Sequence, residues 1–216
     1  MSDDVEIVRS PGVEVRFHGP RCIHSRNCVL GRPDVFVPNV EGEWIHPEAA
    51  TAEEVAEIAH NCPSGAIQYA RLDGGKQESP PVVNTARVLE NGPYVFHADL
   101  VIAGQGNVGF RRVLCRCGAS RNKPFCDASH HESGFKATGE ANHGETAALA
   151  ARNGPLAVTP TKNGPLKVEG PLEIVSGTGT TLAKTKKTFL CRCGHSSNKP
   201  FCDGTHAKVG FVADGA

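Results

Sequence analysis

Apolar and polar residues alternate near the start of the chain, a pattern typical of a half-buried β-strand. In the segment VEVRFHG, Val13, Val15 and Phe17 fall on one face. The segment AIQYA, which starts at Ala66, predicts a short second strand. RLDGGKQESPP then follows and has the composition of a linker. Residues 1–71 are therefore expected to form a small domain of their own.

A helix is predicted between these two strands. Thr51 is followed three residues later by Glu54, the spacing of a capping box at a helix N-terminus. Val55, Ile58 and Ala59 then lie on one helical face, which can pack against the strands. The first domain is thus predicted to be of the α+β class.

The rest of the chain favours strands joined by tight turns. Runs rich in β-branched residues, separated by Asn-Gly, Gly-Pro and Gly-Thr, predict strands at Tyr94–Ile102, Leu166–Val175 and Lys187–Leu190. Between them, GEANHGETAALAARNG is polar and then alanine-rich, and we expect a linker with room for one helical turn. The whole protein is predicted to be α+β, with a β-rich second part.

This second part contains an internal repeat. CRCGASRNKPFCDASH at 115–130 matches CRCGHSSNKPFCDGTH at 191–206 in 12 of 16 positions. An Asn-Gly-Pro triplet precedes each copy, at Asn91 and Asn163, and Gly-Phe follows each. We therefore expect two homologous units, at residues 80–140 and 152–216. Both units, like residues 1–71, are of a size at which a metal helps to stabilise the fold.

Composition and charge narrow the class of protein. Lys+Arg and Asp+Glu are 23 each, so the sequence lacks the basic excess typical of nucleic-acid or polybasic membrane binding. No apolar run approaches the ~18 residues of a membrane-spanning helix, and the start of the chain lacks the apolar stretch of a signal peptide. We expect a soluble, cytoplasmic protein that binds neither nucleic acid nor membranes.

Nine cysteines are the most informative feature of the composition. An odd number without an export signal argues against a disulfide framework. The cysteines form three groups of three, one in each predicted unit: Cys22, Cys28 and Cys62; Cys115, Cys117 and Cys126; Cys191, Cys193 and Cys202. Each unit therefore has its own candidate metal site.

The spacing within the repeat predicts two metal-binding pairs per copy. Residues i and i+2 of an extended chain face the same side, so Cys191 and Cys193 can converge on one metal atom. Cys202 and His206 are an i, i+4 pair if they lie on a helix, and can bind a second metal atom. One Cys-Cys pair and one Cys-His pair match the two irons of a 2Fe–2S cluster.

Residues near these pairs have supporting interpretations. Asp203 follows Cys202 where a short helix is expected to begin, and can cap its free N–H groups. Gly194 has no Cβ and would let the backbone approach the inorganic sulfides. Asp127 and Gly118 repeat these roles in the first copy. A lysine in each ligand loop, Lys123 or Lys199, can stabilise a reduced cluster, bind a partner's carboxylate, or simply be solvated.

The pattern Cys-x-Cys, eight residues, Cys, three residues, His, with KPFCD inside, resembles the CDGSH iron–sulfur domain of the NEET proteins. It departs from the family's name sequence at Ala128 and Thr205, neither of which is a ligand position. Single-motif members form homodimers around a β-rich cap, so a tandem repeat implies an intramolecular pseudo-dimer and a monomeric chain. The resemblance implies one 2Fe–2S cluster per motif, held by Cys115, Cys117, Cys126 and His130, and by Cys191, Cys193, Cys202 and His206.

The N-terminal cysteines suggest another cluster. Cys22 and Cys28 occupy the outer positions of a Cys-x-x-Cys-x-x-Cys pattern with Ser25 in the middle, and Cys62 precedes a proline. Over residues 13–70 this resembles divergent single-cluster ferredoxins. Three thiolates suit a 3Fe–4S cluster, whereas a 4Fe–4S cluster needs a fourth ligand, for which His24 is the candidate. A degenerate, empty site is the third interpretation.

The histidine ligands bear on the function. A neutral imidazole in place of a thiolate should raise the reduction potential above the ~−400 mV of plant-type clusters. Its free nitrogen can take up a proton near neutral pH, and acid should release the cluster. We expect a non-enzymatic electron-transfer protein whose three clusters exchange electrons with redox partner proteins. The alternatives are a cluster carrier that serves apo-protein acceptors, a redox or pH sensor, and a structural zinc protein.

Overall fold

A computed structural model describes residues 5–140, 143–144 and 146–216, and the chain divides into two compact units, residues 1–79 and 80–216. The first unit combines a three-stranded antiparallel sheet, in the order β1-β2-β3, with two α-helices. Two short 3-10 helices complete it. Its elements are β1 (Val5–Arg9), β2 (Val13–His18), α1 (Asn27–Gly31), α2 (Ala52–His60) and β3 (Ile67–Arg71).

The sequence predictions for this unit are confirmed at β2, α2 and β3. The capping box is present: the Thr51 hydroxyl accepts from the Glu54 amide, and the Glu54 carboxylate accepts from the Thr51 amide. Val55, Ile58 and Ala59 are buried in one core with the inward residues of β2. Strand β1 has no clear alternation and was missed, because its side chains are mostly exposed while its backbone pairs with β2.

The second unit is built on a six-stranded sheet. Its elements are β4 (Thr85–Val88), β5 (Tyr94–Ile102), β6 (Gly106–Leu114), β7 (Pro155–Pro160), β8 (Leu166–Val175), β9 (Thr181–Leu190) and α3 (Thr205–Lys208). The predicted bounds of β5 and β8 are confirmed, and the predicted segment Lys187–Leu190 is the end of the longer β9. The other strands were missed because they are short or interrupted by glycine.

Each half of this sheet repeats the same antiparallel pairings. β5 pairs with β4 and β6, and β8 pairs with β7 and β9 in the same way. Two parallel pairings cross between the halves, β4 with β8 and β5 with β7. The first strand of each half therefore pairs with both long central strands.

One buried core joins the two halves. Tyr94, Phe96 and Leu100 of the first half contact the same cluster as Leu166 and Ile174 of the second, and all five are fully buried. Burying side chains of this size stabilises the fold by about 1.5–3 kcal/mol each.

The predicted helical turn between the halves is wrong for the described residues of 139–154, which contain no helix; residues 141, 142 and 145 lie outside the description. No helix in the described ranges is long and apolar enough to cross a membrane.

Candidate metal centres

In each repeat the two cysteines of the Cys-Arg-Cys sequence lie side by side, directly after a long strand. The Sγ atoms of Cys115 and Cys117 are 3.7 Å apart, as are those of Cys191 and Cys193. Two sulfurs bound at ~2.3 Å to one tetrahedral metal would be separated by ~3.7 Å. The spacing of both pairs therefore fits two thiolates on one metal atom.

The third cysteine and the histidine form the second pair of each repeat. Cys126 Sγ is 3.6 Å from His130 Nδ1, and Cys202 Sγ is 3.3 Å from His206 Nδ1. A sulfur and a nitrogen on one tetrahedral metal would be ~3.5 Å apart. Because Nδ1 faces the cysteine in both copies, Nε2 is the ring nitrogen left for solvent or a proton. Among the described residues the candidate ligands converge as pairs, and no three surround one ion position.

The expected helix carrying the second pair is only partly present. Helix α3 begins at Thr205 after Gly204, so His206 lies on the helix and Cys202 precedes it. The first copy has turns in place of this helix. The prediction that one helix carries both residues is therefore wrong. A turn brings the cysteine and the histidine together, and the second residue after the cysteine has a positive φ in both copies: 84° at Gly204 and 67° at Ala128.

An aspartate braces each ligand loop. Asp203 accepts from the amide of Thr205 at 3.0 Å and from the amide of Ser197 at 2.8 Å, so it joins the histidine segment to the loop between the two pairs. Asp127 accepts from Ser129 and from the Arg121 amide in the same way. The hydroxyls of Thr205 and Ser197, and after them the two amides, donate to Asp203 and hold its pKa well below its usual range. The aspartate that was predicted to cap a helix thus connects the two ends of the ligand loop through hydrogen bonds.

The sequence analysis missed the arginine between the two cysteines. Arg116 is fully buried, and its guanidinium donates at 2.7–3.0 Å to the carbonyls of Gly92, Leu89, Ala137 and Thr138. Arg192 repeats this, donating to the carbonyls of Thr161, Gly164 and Asp214. Each arginine fixes the Asn-Gly-Pro turn to the chain that follows the histidine. The sequence did contain a signal for this role: a charged residue lies between the two cysteines in both copies of the motif.

The glycines after the Cys-Arg-Cys sequences are where the two repeats meet. Gly118 has φ of 83°, and a Cβ there would lie 2.6 Å from the Cys193 carbonyl oxygen. Gly194 has φ of 84°, and its Cβ would lie 2.4 Å from the Cys117 carbonyl oxygen. The absence of Cβ therefore lets the two ligand loops touch reciprocally. Approach to inorganic sulfide, the role expected from the sequence, stays a prediction.

Alanine substitutions test this contact. Gly194→Ala is expected to lower the free energy of unfolding by about 1–3 kcal/mol more than Gly204→Ala, because only the former adds a clash to the cost of a positive φ. Gly204 is a matched control with the same φ and open space around it, and the equivalent residue of the first copy is already Ala128. Denaturant unfolding of the loaded proteins measures both values. Equal losses would contradict the close contact.

The N-terminal cysteines line one cavity of about 580 Å³ in the first unit. Cys22 follows the first 3-10 helix, Cys28 lies on α1, and Cys62 follows α2. His24 and Ser25 lie on the loop between the first two and border the same cavity. The structure thus brings together the three predicted thiol ligands and the candidate fourth ligand. The rest of the wall is largely apolar, which would shield a cluster from water.

Burial favours the protonated form of several of the candidate ligand thiols. Desolvation raises the pKa of Cys22 and of Cys28 above the ordinary value for a thiol. In the repeats, desolvation likewise raises the pKa of Cys126 and of Cys193 to about 11. Without metal these four groups are thiols at neutral pH, so metal binding must displace protons and weakens as the pH falls.

The paired thiols and imidazoles of the second unit, with the three-cysteine cavity of the first, define an iron–sulfur protein. The family described as iron-binding zinc finger of the CDGSH type matches residues 91–131 and 163–207. The family described as a divergent 4Fe-4S mono-cluster matches residues 8–72. The chain thus contains two domains of the CDGSH family after an N-terminal domain of the mono-cluster family.

Two relatives are similar to part of the chain. The uncharacterized protein YjdI from Escherichia coli strain K12 is 36% identical over 58 residues, which are 26% of this chain and 74% of the relative. YjdI from Escherichia coli O157:H7 matches with the same identity and coverage. Neither name states a function.

Proposed function

We propose that this protein is a non-enzymatic electron carrier with two 2Fe–2S clusters, each held by three cysteines and one histidine, and one N-terminal cluster. The observation that carries the proposal is the repeated pairing of a thiol with a thiol and of a thiol with an imidazole, at distances suited to two ligands per metal. A zinc site in one motif would need all four ligands around one ion. We propose redox proteins as the partners.

We also propose that the two CDGSH units form an intramolecular pseudo-dimer, so that the chain acts as a monomer. The proposal is supported by the two parallel strand pairings between the halves and by the reciprocal contacts of Gly118 and Gly194.

A cytoplasmic location is proposed on the state of the cysteines. The described residues include all nine cysteines, and no disulfide joins any two of them. Nine thiols without a disulfide are typical of a reducing compartment.

Cluster transfer to apo-proteins is the second candidate function. The partial exposure of two candidate ligands favours it for the second motif. Cys191 and Cys193 are buried, whereas Cys202 and His206 are partly exposed. The cluster would then be held more loosely on its histidine side, where a thiol of an acceptor can reach it. A transfer assay to apo-ferredoxin, run beside reduction by a flavoprotein reductase, separates the two functions.

For the N-terminal site we propose a 3Fe–4S cluster held by Cys22, Cys28 and Cys62. The number of thiols at the cavity supports this choice. The alternative is a 4Fe–4S cluster, favoured by the name of the matching family and by the position of His24 at the same cavity. In both cases the chain's own residues supply thiolates and a largely apolar wall.

Iron and sulfide analysis with electron paramagnetic resonance tests these assignments. We expect about seven irons per chain and a signal from the oxidised protein, since an oxidised 3Fe–4S cluster is paramagnetic. About eight irons, no oxidised signal, and loss of one iron in His24→Ala would establish the 4Fe–4S alternative. Ser25→Ala is the control on the same loop. A colourless protein with bound zinc would overturn the proposed function.

A further inference from the structure

Tyr94 breaks the symmetry between the two repeats. It starts β5 in the first repeat, where it pairs with Leu114, and its counterpart at the start of β8 in the second repeat is Leu166, which pairs with Leu190. Both side chains are fully buried. Only the tyrosine has a hydroxyl group, so any hydrogen bond it makes is unavailable to its counterpart.

The Tyr94 hydroxyl reaches the ligand loop of the other repeat. It donates to the carbonyl oxygens of Cys191 and Pro200, each 2.9 Å away, so the two acceptors share one proton. A tyrosine hydroxyl is protonated at neutral pH, so the group is available as a donor.

These two acceptors lie on the two arms of the second motif. Cys191 begins the arm with the Cys191–Cys193 pair, and Pro200 lies two residues before Cys202 on the arm with the Cys202–His206 pair. The Cys191 amide also donates to the Pro200 carbonyl at 2.8 Å, so Tyr94 reinforces an existing contact between the arms. The distance between the arms fixes the separation of the two proposed iron positions.

We infer that Tyr94 is a positioning residue for the second motif, contributed by the first repeat, and that it makes the two clusters inequivalent. It clamps the arms of the motif whose cysteine–histidine pair is the more exposed: Cys126 and His130 are buried, whereas Cys202 and His206 are partly exposed. The clamp slows cluster loss at the second motif, and the hydroxyl dipole near Cys191 stabilises the reduced cluster there. The inference rests on the proposed function.

Tyr94→Phe tests the inference by removing only the hydroxyl. An Fe²⁺ chelator removes the clusters, and visible absorbance follows their loss over time. The experiment is done in proteins that also carry His130→Cys or His206→Cys. Each of these replacements gives one cluster a distinct spectrum, so each kinetic phase can be assigned to one motif. We expect loss from the second motif to be about 3–10-fold faster, and that from the first to be unchanged. The reduction potential of the second cluster alone is expected to fall.

Tyr69→Phe is the matched control, because it makes the same change at the chain's other tyrosine, in the N-terminal unit. It should alter neither the rate nor the potential of either CDGSH cluster. Equal acceleration at both motifs would mean that Tyr94 supports only the general fold, and no acceleration would mean that the clamp is irrelevant; either result overturns the inference. Absence of both clusters from the unmodified protein would overturn the proposed function as well.

Discussion

Arg116→Met is expected to lower the free energy of unfolding by at least ~3 kcal/mol, among the largest effects of any single substitution outside the candidate ligands. The change removes the guanidinium from the buried carbonyl of Gly92 and from the partly buried carbonyls of Leu89, Ala137 and Thr138. The carbonyls of Leu89 and Ala137 keep a backbone amide donor, so the loss falls mainly on the other two acceptors, and each unsatisfied buried acceptor costs about 1–3 kcal/mol. Arg116→Lys should recover only part of the loss, because an ammonium cannot reproduce the planar fork of donors. Denaturant unfolding of the cluster-loaded protein, followed by circular dichroism and visible absorbance, measures the change.

Two further arginines calibrate this result. Arg192→Met removes donors to three carbonyls and should cost somewhat less than Arg116→Met. Arg121→Met changes a side chain that is 80% exposed and forms an ion pair with the equally exposed Glu132, so its effect should stay below ~0.5 kcal/mol. If Arg116→Met were no more harmful than Arg121→Met, the arginine would not be the organising residue of the loop.

Replacing both candidate histidine ligands, His130→Cys with His206→Cys, should shift the potentials of the 2Fe–2S clusters negative by roughly 100–300 mV, because a thiolate adds negative charge. The pH dependence should vanish with the imidazoles. In the unmodified protein, reduction makes the cluster more negative and favours a proton on Nε2, so the potential should fall by up to ~59 mV per pH unit as the pH rises through the imidazole range. Potentiometric titration between pH 6 and 8 measures both effects.

The acid stability of the cluster-free protein, measured by denaturant unfolding between pH 5 and 8, reports on one of these histidines, His130. Burial, followed by the neighbouring charge of His131, lowers the pKa of His130. A lowered folded-state pKa means that the unfolded chain binds the proton more readily. The contribution to stability is therefore present above the unfolded value of about 6.5 and is lost as the pH falls below it. Replacement of this histidine by cysteine should remove that part of the acid destabilisation.

Two non-ligand histidines are natural controls. His131 corresponds to Ala207 and His195 to Ala119, so each is already alanine in the other repeat. His131→Ala and His195→Ala should retain the pH-dependent potential, with its pH range moved upward in His131→Ala alone, because the charge that lowers the pKa of His130 is removed. If these variants lost it while the cysteine variants kept it, the proton would not reside on the ligand imidazoles.

The local pattern of apolar and polar residues was enough to predict the longer elements, which bury one face along most of their length. β5 and β8 have alternating or continuous apolar residues over 9 and 10 residues, and α2 has a complete capping box, so their bounds and types follow from the sequence. β4, β6 and β7 were missed because they are short or carry glycine, and gain their stability from strands far away in the chain. Such long-range pairing leaves no periodic signal.

The candidate site, like the fold, has features that the sequence predicted and features that it did not. The Cys-Arg-Cys spacing and the four-residue step from cysteine to histidine predict pairs, and the structure brings these pairs to 3.7 Å and to 3.3–3.6 Å. The role of Arg116 was not predicted, since its partners lie up to 27 residues away in the chain. The contact of Tyr94 with Cys191 spans 97 residues and has no sequence signal.

The sequence by itself therefore indicated which residues form each candidate ligand pair. The i, i+2 spacing places two cysteines on one side of an extended chain, and the third cysteine and the histidine are only four residues apart. Only the tertiary structure decided how the two motifs meet. The pairing of β4 and β7 with the central strands of both halves, the reciprocal contacts of Gly118 and Gly194, and the hydrogen bonds of the Tyr94 hydroxyl all depend on non-local packing. Two nearly identical motifs thereby acquire different surroundings.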